Sequence, residues 1–356
     1  MKLLPSITTL CAAFFLAAAL PAAAADAKPK VWIYTDMSDG TLKGPTHMGT
    51  VNDPDDISAM AGYLLMANEF ETLGVVVAST HRKEHRTTPD QGAWANRFFG
   101  DAYRAEVAAL NKAIGGYPAD IRFTQSCIKE SAERYDAAKT YADLENYSTV
   151  RALLDAATQQ PDGALINVLC WGAVTEPAIL VNHCRATKRE AVLKKLRFIA
   201  HWTDSALHQG TPEHPEHVAN CREDAEACAY MKMCARGGVI RYVECGAIGQ
   251  SGIVNGGPKG RAYFDAFKTS RLGTIFVEGK FVRENVDHSD AATYWVLLGS
   301  WGVSLDDIAD NGTNPPAVEA ANEKRFRENS KHIHDELLRR AKASGGVVDP
   351  KSPTQP

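Results

Sequence analysis

Val31-Trp32-Ile33-Tyr34-Thr35-Asp36-Met37-Ser38-Asp39-Gly40 is followed, after a polar insertion, by Asn52-Asp53-Pro54-Asp55-Asp56-Ile57. The first run is apolar with β-branched and aromatic residues, which predicts a short strand over Val31–Thr35 that ends in polar, glycine-containing sequence. Beyond the acidic group, Ile57, Met60, Ala61, Leu64 and Leu65 recur at helical spacing, so a helix opens directly on the carboxylates. A strand, a polar loop and a helix in that order form the first half of a βα unit.

The pattern repeats downstream. Leu73–Ser79 is apolar on both faces, as a buried parallel strand is, and a long helical stretch is predicted from about Asp90 to Ile114. Strands are expected at Ala164–Cys170, Leu196–His201 and Val239–Cys245. Helices are expected at Thr175–His183, Glu223–Arg236, Ala262–Lys268, Asp290–Trp301 and Ala317–Lys342. Alternating units of this kind give an α/β fold class: three layers, with a mostly parallel central sheet, helices on both faces and a Rossmann-like open edge. No linker divides the chain, so residues 26–343 are read as one domain.

The 356 residues carry 45% hydrophobic and 23% charged residues, ordinary globular values that exclude a disordered chain. A net charge of -4 without a long basic run argues against nucleic acid as a partner. Lys2, the apolar run Leu10–Leu20 and Ala22–Ala25 form a signal peptide over residues 1–25. The protein is therefore expected to be exported, to the periplasm or the outside, with no membrane anchor. Residues 344–356, rich in Gly, Pro and Ser, are expected to be a loose tail. Without Cys11 the chain keeps an odd set of seven cysteines; one or two disulfides are expected near Cys221–Cys245, with at least one thiol left over.

Ligands of open parallel sheets bind outside the carboxyl ends of the strands, where Asp36, Asp53, Asp55 and Asp56 gather. One of them read blandly is a helix cap or a turn residue. Four carboxylates at one strand end call for a hard divalent cation, Ca²⁺ before Mg²⁺.

With these residues in place, Thr35-Asp36 and the later Asp55-Asp56 before an apolar helix resemble the nucleoside hydrolase superfamily, whose motif is D-T-D-P-G-x-D-D. The run Asn52–Asp56 with Asn68-Glu69-Phe70 is similar to the nucleoside hydrolase-like proteins sometimes labelled cellulose-binding. Tyr34 replaces the family's first aspartate, and residues 37–51 lengthen the loop. Trp171-Gly172-Ala173-Val174-Thr175 resembles the family's T-G-P-L-T turn, Asn220 through Ala227 its N-x-x-x-D-P-E-A segment, and Asp287-His288-Ser289-Asp290 its H-D pair.

The resemblance implies a calcium-dependent hydrolase of N-ribosyl or related glycosidic bonds, with Ca²⁺ as cofactor. Asp36 is then the general base and also a ligand of the ion. Asp56 and Asp290 are side-chain ligands, Trp171 lends its carbonyl, and Asp53 is a further ligand. Asp55 and Asn220 hold sugar hydroxyls, with His81 and Trp202 as further substrate contacts and His288 as the acid for the leaving group. Val218 stands where the family has a glutamate, and Ser289 where it has the histidine. A non-catalytic carbohydrate-binding protein with the same fold and ion is the other reading. The expected partner is a small nucleoside or glycoside, with a second copy of the chain as a further candidate.

The histidine-rich segment from His201 through His208, His214 and His217 reads as an active-site loop. Its H-P-E-H spacing and Pro215 do not suit the helical zinc motif. The chain has no G-x-S-x-G elbow, G-x-G-x-x-G run or P-loop.

Overall fold

From Val31 on, every residue of β1 (Lys30–Tyr34) is buried, whichever face it points to. Val31 and Ile33 enter one apolar layer, Trp32 and Tyr34 the other. Such a strand has to lie inside a sheet covered on both sides. The computed structural model describes residues 28–131 and 133–346 and puts β1 there. Residues 1–25, expected to be a leader, and residues 347–356 of the tail expected from residue 344 lie outside the described residues.

β1 pairs in parallel with β2 (Glu71–Val77) on one side and β4 (Ile166–Cys170) on the other. β3 (Phe123–Gln125) extends the sheet beyond β2, while β5 (Leu196–Ala200) and β6 (Arg241–Glu244) extend it beyond β4, all in parallel. The order is β3-β2-β1-β4-β5-β6. The chain thus winds outward through β2 and β3, then crosses back to lay β4 on the far side of β1. That reversal opens a crevice between the carboxyl ends of β1 and β4, the position where open α/β sheets receive ligands.

Helices cover both faces. With Val31 and Ile33 pack residues of α1 (Asp55–Leu65), of α2 (Asp101–Ala113), and of the later α6 (Arg271–Gly279) and α8 (Pro316–Ser344). The other face is covered by α3 (Ser148–Gln159), α4 (Thr175–Ala186) and α5 (Ala225–Arg236). α7 (Ala292–Leu298) follows a single 3-10 turn, Ser289–Ala291.

The three-layer parallel sheet is as expected, while several boundaries move. The stretch from Asp90 to Ile114 is helical but broken by a π turn at Asn96–Gly100. There the Asn96 amide donates to the Phe123 carbonyl (2.6 Å) and accepts from the Phe123 N–H (3.1 Å), which ties edge strand β3 to the helix. The helix expected from Glu223 starts at Ala225, because Asp224 caps it by accepting from the Ala227 N–H. The helix expected to reach Trp301 stops at Leu298, where Gly299 takes φ +73°, a left-handed conformation that ends helices. Strand β3, helices α3 and α6, and the small hairpin Phe281–Val282/Asn285–Val286 were not foreseen. Among the described residues no helix is long and apolar enough to cross a membrane.

Cys221 and Cys228 are joined by a disulfide, with Cα atoms 5.5 Å apart. Cys127, Cys170, Cys184, Cys234 and Cys245 are unpaired, and all but Cys127 are buried. Thiol titration of the denatured, unreduced chain lacking residues 1–25 should find these five thiols; three or fewer would mean a second disulfide.

Glu176, on the first turn of α4, is fully enclosed and accepts hydrogen bonds from Ser126 Oγ and from Thr149 Oγ1 (2.5 Å). Burial pushes its carboxyl up to about 7 from an ordinary 4.5. Between those two values the folded chain binds more protons than the unfolded one, so Glu176 costs stability as pH rises from 4.5 to about 7. Glu176→Gln should therefore gain melting temperature relative to the wild type, by a few degrees, across that range. A difference between the two proteins that stays constant with pH would contradict this.

Candidate active site

Asp36 is the second residue beyond β1, and Trp171-Gly172 follow β4 directly. The two loops touch across the crevice. A Cβ on Gly172 would lie 2.8 Å from Asp36 Cβ and 2.9 Å from its Cγ, so only glycine lets the carboxylate sit there. Asn52, at the end of the insertion, donates to the Asp36 carbonyl and lies 2.8 Å from His85 Nε2. Asp36 itself is buried, and that burial raises its carboxyl to about 6, against the pull of Arg82 and a hydrogen bond with Asp56.

Helix α1 brings the next two acids. Its N-cap is Pro54, which makes no side-chain cap, so Asp55 and Asp56 are first-turn residues and not capping groups. Asp56 Oδ1 accepts from the Thr35 hydroxyl, which locks the helix start onto the end of β1. The 3-10 turn before α7 delivers Asp290, whose Oδ2 is buried without a hydrogen-bond partner among the described residues. One carboxylate oxygen from each of Asp55, Asp56 and Asp290 lies within 4.8 Å of the others.

At that separation two ionised carboxylates repel by about 3 kcal/mol at an effective dielectric of 20. A helix N-terminus returns only about 0.3–1 kcal/mol for an acid on its first turn. Burial and then mutual repulsion hold the carboxyls of Asp56 and Asp290 well above the usual range. A cation among these oxygens would satisfy the orphaned Asp290 Oδ2 and remove the repulsion. The donors are all oxygen, which fits a hard divalent ion.

Trp171 and Asn220 complete the rim. Asn220 Nδ2 donates to the carbonyls of Trp171 (3.1 Å) and His201 (2.9 Å). It therefore clips the ends of β4 and β5 together and leaves its own Oδ1 for another partner. The neighbouring Cys221–Cys228 disulfide holds this segment onto α5. The Trp171 indole donates to Thr293 Oγ1 at 2.8 Å, and the carbonyl keeps a second lone pair.

Two residues of this site have no individual role in the sequence reading, although His201 opens the segment expected to be an active-site loop. His201, directly after β5, is buried with Nε2 3.8 Å from Asp290 Oδ1. Burial lowers its imidazole to about 4, so it is neutral. Its place at a strand's carboxyl end was a usable signal. Lys280, just after α6, lies 2.7 Å from Asp53, 2.9 Å from Asp287 and 3.5 Å from Asp55. Burial opposes its charge, but Asp55, Asp287 and Asp53 outweigh that and hold the ammonium above its ordinary range. No local pattern announced it.

Four expected residues are placed differently. His288 does not face the carboxylates: it is fully buried, edge-on to Phe276 and His334, with its Nε2 3.2 Å from that of His334. Burial and His334 keep its imidazole well below the ordinary value, so it has no proton to give a leaving group. Asp53 stands outside the trio of converging oxygens and pairs with Lys280. His81 lines a separate cleft beyond β2. Trp202 is half-buried, edge-on to His201, with backbone φ +51°. In the histidine-rich loop, His214, Glu216 and His217 cluster at the surface, while His208 binds Glu323 at 2.6 Å.

Residues 46–216 match the family model of the nucleoside hydrolase-like domain of cellulose-binding Sde182. That span includes Asp53, Asp55, Asp56, His81, Trp171 and Trp202, and leaves Asp36, Asn220, His288 and Asp290 outside it. The fold is similar to that of a nucleoside hydrolase-related hypothetical protein from Saccharophagus degradans that is associated with carbohydrate metabolism. That pair shares 15% identity with a TM-score of 0.58, over 89% of this chain and 72% of the other. An inosine-uridine preferring nucleoside hydrolase from Bacillus anthracis shares 13% identity with a TM-score of 0.42, over 85% of this chain and 99% of the other. No curated protein matches the chain.

The contact between Gly172 and Asp36 yields a test. Gly172→Ala must displace either the Asp36 side chain or the β4 loop, because the added methyl would fall 2.8 Å from Asp36 Cβ. Overpacking of this kind costs about 1–3 kcal/mol. The variant should melt lower than the wild type, and an unchanged melting temperature would show that the two loops are not in contact.

Proposed function

We propose that this nucleoside hydrolase-like protein is an exported, calcium-dependent hydrolase of N-ribosyl or related glycosidic bonds. The observation that carries the reading is the convergence of Asp55, Asp56 and Asp290, with Asp36 beside them, in the crevice between β1 and β4. Export rests on the leader at residues 1–25.

Asp56 and Asp290 would hold the ion by side chain and Trp171 by its carbonyl. Six to eight oxygen ligands suit Ca²⁺ better than the tighter octahedron of Mg²⁺. The ion would supply positive charge that favours deprotonation of a water and orients sugar hydroxyls. Asp36 accepts the proton of the attacking water, and its enclosure with Gly172 fixes the direction from which it does so. Asp55 and the free Oδ1 of Asn220 hold the sugar hydroxyls. With His288 sealed in the core, the departing base draws on no imidazole at that position.

A non-catalytic carbohydrate-binding protein with the same fold and ion is the second reading. It is favoured by Lys280, which ties up Asp53 and Asp55, and by Val218, fully buried where the superfamily has a glutamate. The description of the matching family as cellulose-binding points the same way.

Release of free base from a nucleoside panel separates the two. On the hydrolase reading, Asp36→Asn keeps bound calcium and a near-normal KM but loses kcat by about 10²–10⁴, the usual contribution of a positioned base. Asp56→Ala loses calcium and turnover together. A wild type that hydrolyses no nucleoside yet binds cello-oligosaccharide would establish the second reading instead.

A further inference from the structure

The loop after β2 builds a second feature on the same edge of the sheet. His81, Arg82, Lys83, Glu84, Arg86 and Arg134 line an open cleft of about 500 Å³. In a chain of net charge -4, four cations against one carboxylate in a single lining runs against the overall balance. Arg82 is already engaged, by Glu223 and by the Val51 carbonyl at 2.9 Å. Arg86 donates only to the neutral Ser131 carbonyl. Lys83 and Arg134 are exposed and make no ion pair or side-chain hydrogen bond with any described residue. Three cations therefore face the cleft unneutralised, against Glu84 alone. Burial, followed by the field of Arg134, lowers the His81 imidazole to about 4, so His81 offers a neutral wall and not a further charge.

The cleft is separate from the Asp36 carboxylate, but hydrogen bonds tie its wall to the loop that carries Asp36. β2 and β1 are neighbours, so the loop leaving β2 stands beside the one leaving β1. Arg82 holds the carbonyl of Val51, and the next residue, Asn52, holds that of Asp36. Thr80 Oγ1 (2.8 Å) and Arg82 both bind Glu223, three residues past Asn220. The cleft's wall is thus hydrogen-bonded to the segments that carry the proposed base and the proposed sugar contact.

We propose that this cleft binds an anionic oxygen group, a phosphate or a carboxylate, carried by the substrate whose glycosidic bond lies at Asp36. The substrate class is then a phosphorylated ribosyl compound or a uronate-bearing glycoside, not a neutral nucleoside. The proposal rests on the placement of the reacting centre at Asp36, and Lys83 and Arg134 are the residues free to contact the anion.

The test is calorimetric binding to calcium-loaded Asp36→Asn, which removes turnover from the measurement. Ribose 5-phosphate is compared with ribose, and glucuronate with glucose. One anion should bind at least about tenfold tighter than its neutral parent, as expected for one or two charge-assisted hydrogen bonds. The gain should shrink as salt rises from about 0.05 to 0.5 M. It should vanish when Lys83→Ala and Arg134→Ala are added, two exposed positions whose truncation leaves the core untouched. A gain for ribose 5-phosphate alone assigns phosphate, and one for glucuronate alone assigns carboxylate. No gain for either anion, or a gain that survives the double substitution, overturns the proposal. Wild-type release of base from neutral nucleosides without any anion gain would reject the anion site and keep the hydrolase. Anion gain in a protein without turnover would do the reverse.

Discussion

Three carboxylates held within 4.8 Å of one another, two of them buried, are the constraint on which the rest of this structure turns. They come from two pieces of backbone distant in sequence. Asp55 and Asp56 are set by the first turn of α1, and Asp290 by the 3-10 turn before α7. Repulsion of about 3 kcal/mol per ionised pair is comparable with a sizeable part of a domain's whole stability. The fold tolerates it through the Thr35–Asp56 hydrogen bond and through Lys280, which offsets Asp53, Asp55 and Asp287. Lys280 does not reach Asp290 Oδ2, and that unpartnered oxygen is why a cation fits here.

The topology places this cluster where chemistry is accessible. Because β4 lies across β1 from β2, the loops after β1 and β4 diverge and leave a crevice, across which Gly172 packs closely against Asp36. Asn220, on the short helix Ala219–Glu223, then joins the ends of β4 and β5 by two carbonyls, which braces the rim. Rigidity of that kind is what a positioned base and an oxygen cage need.

Much of this was legible in the amino-acid sequence, for reasons that are local. The run Val31–Thr35 is apolar on both faces, and Asp55-Asp56 precede a helical period, so the strand, the helix and the acids between them follow from composition and spacing. Asp290 was reached only through the resemblance of Asp287-His288-Ser289-Asp290 to the superfamily's H-D pair. What was not legible depends on contacts distant in sequence. His288 reads as the acid for a leaving group until Phe276 and His334 close over it, and Asp53 reads as a ligand until Lys280, more than two hundred residues on, pairs with it. Edge strand β3 is three residues long and is fixed by the Asn96 amide, a tertiary bond with no periodic signature.

The reading above stands or falls on one hard-cation site formed by the oxygens of Asp56 and Asp290 in the β1/β4 crevice. A crystal structure grown with calcium, or with a lanthanide in its place for anomalous scattering, addresses that claim directly. One strong peak is expected between Asp56 and Asp290, with the Trp171 carbonyl in its coordination shell. A crevice without a peak, or a single peak at the surface cluster of His214, Glu216 and His217, would contradict it.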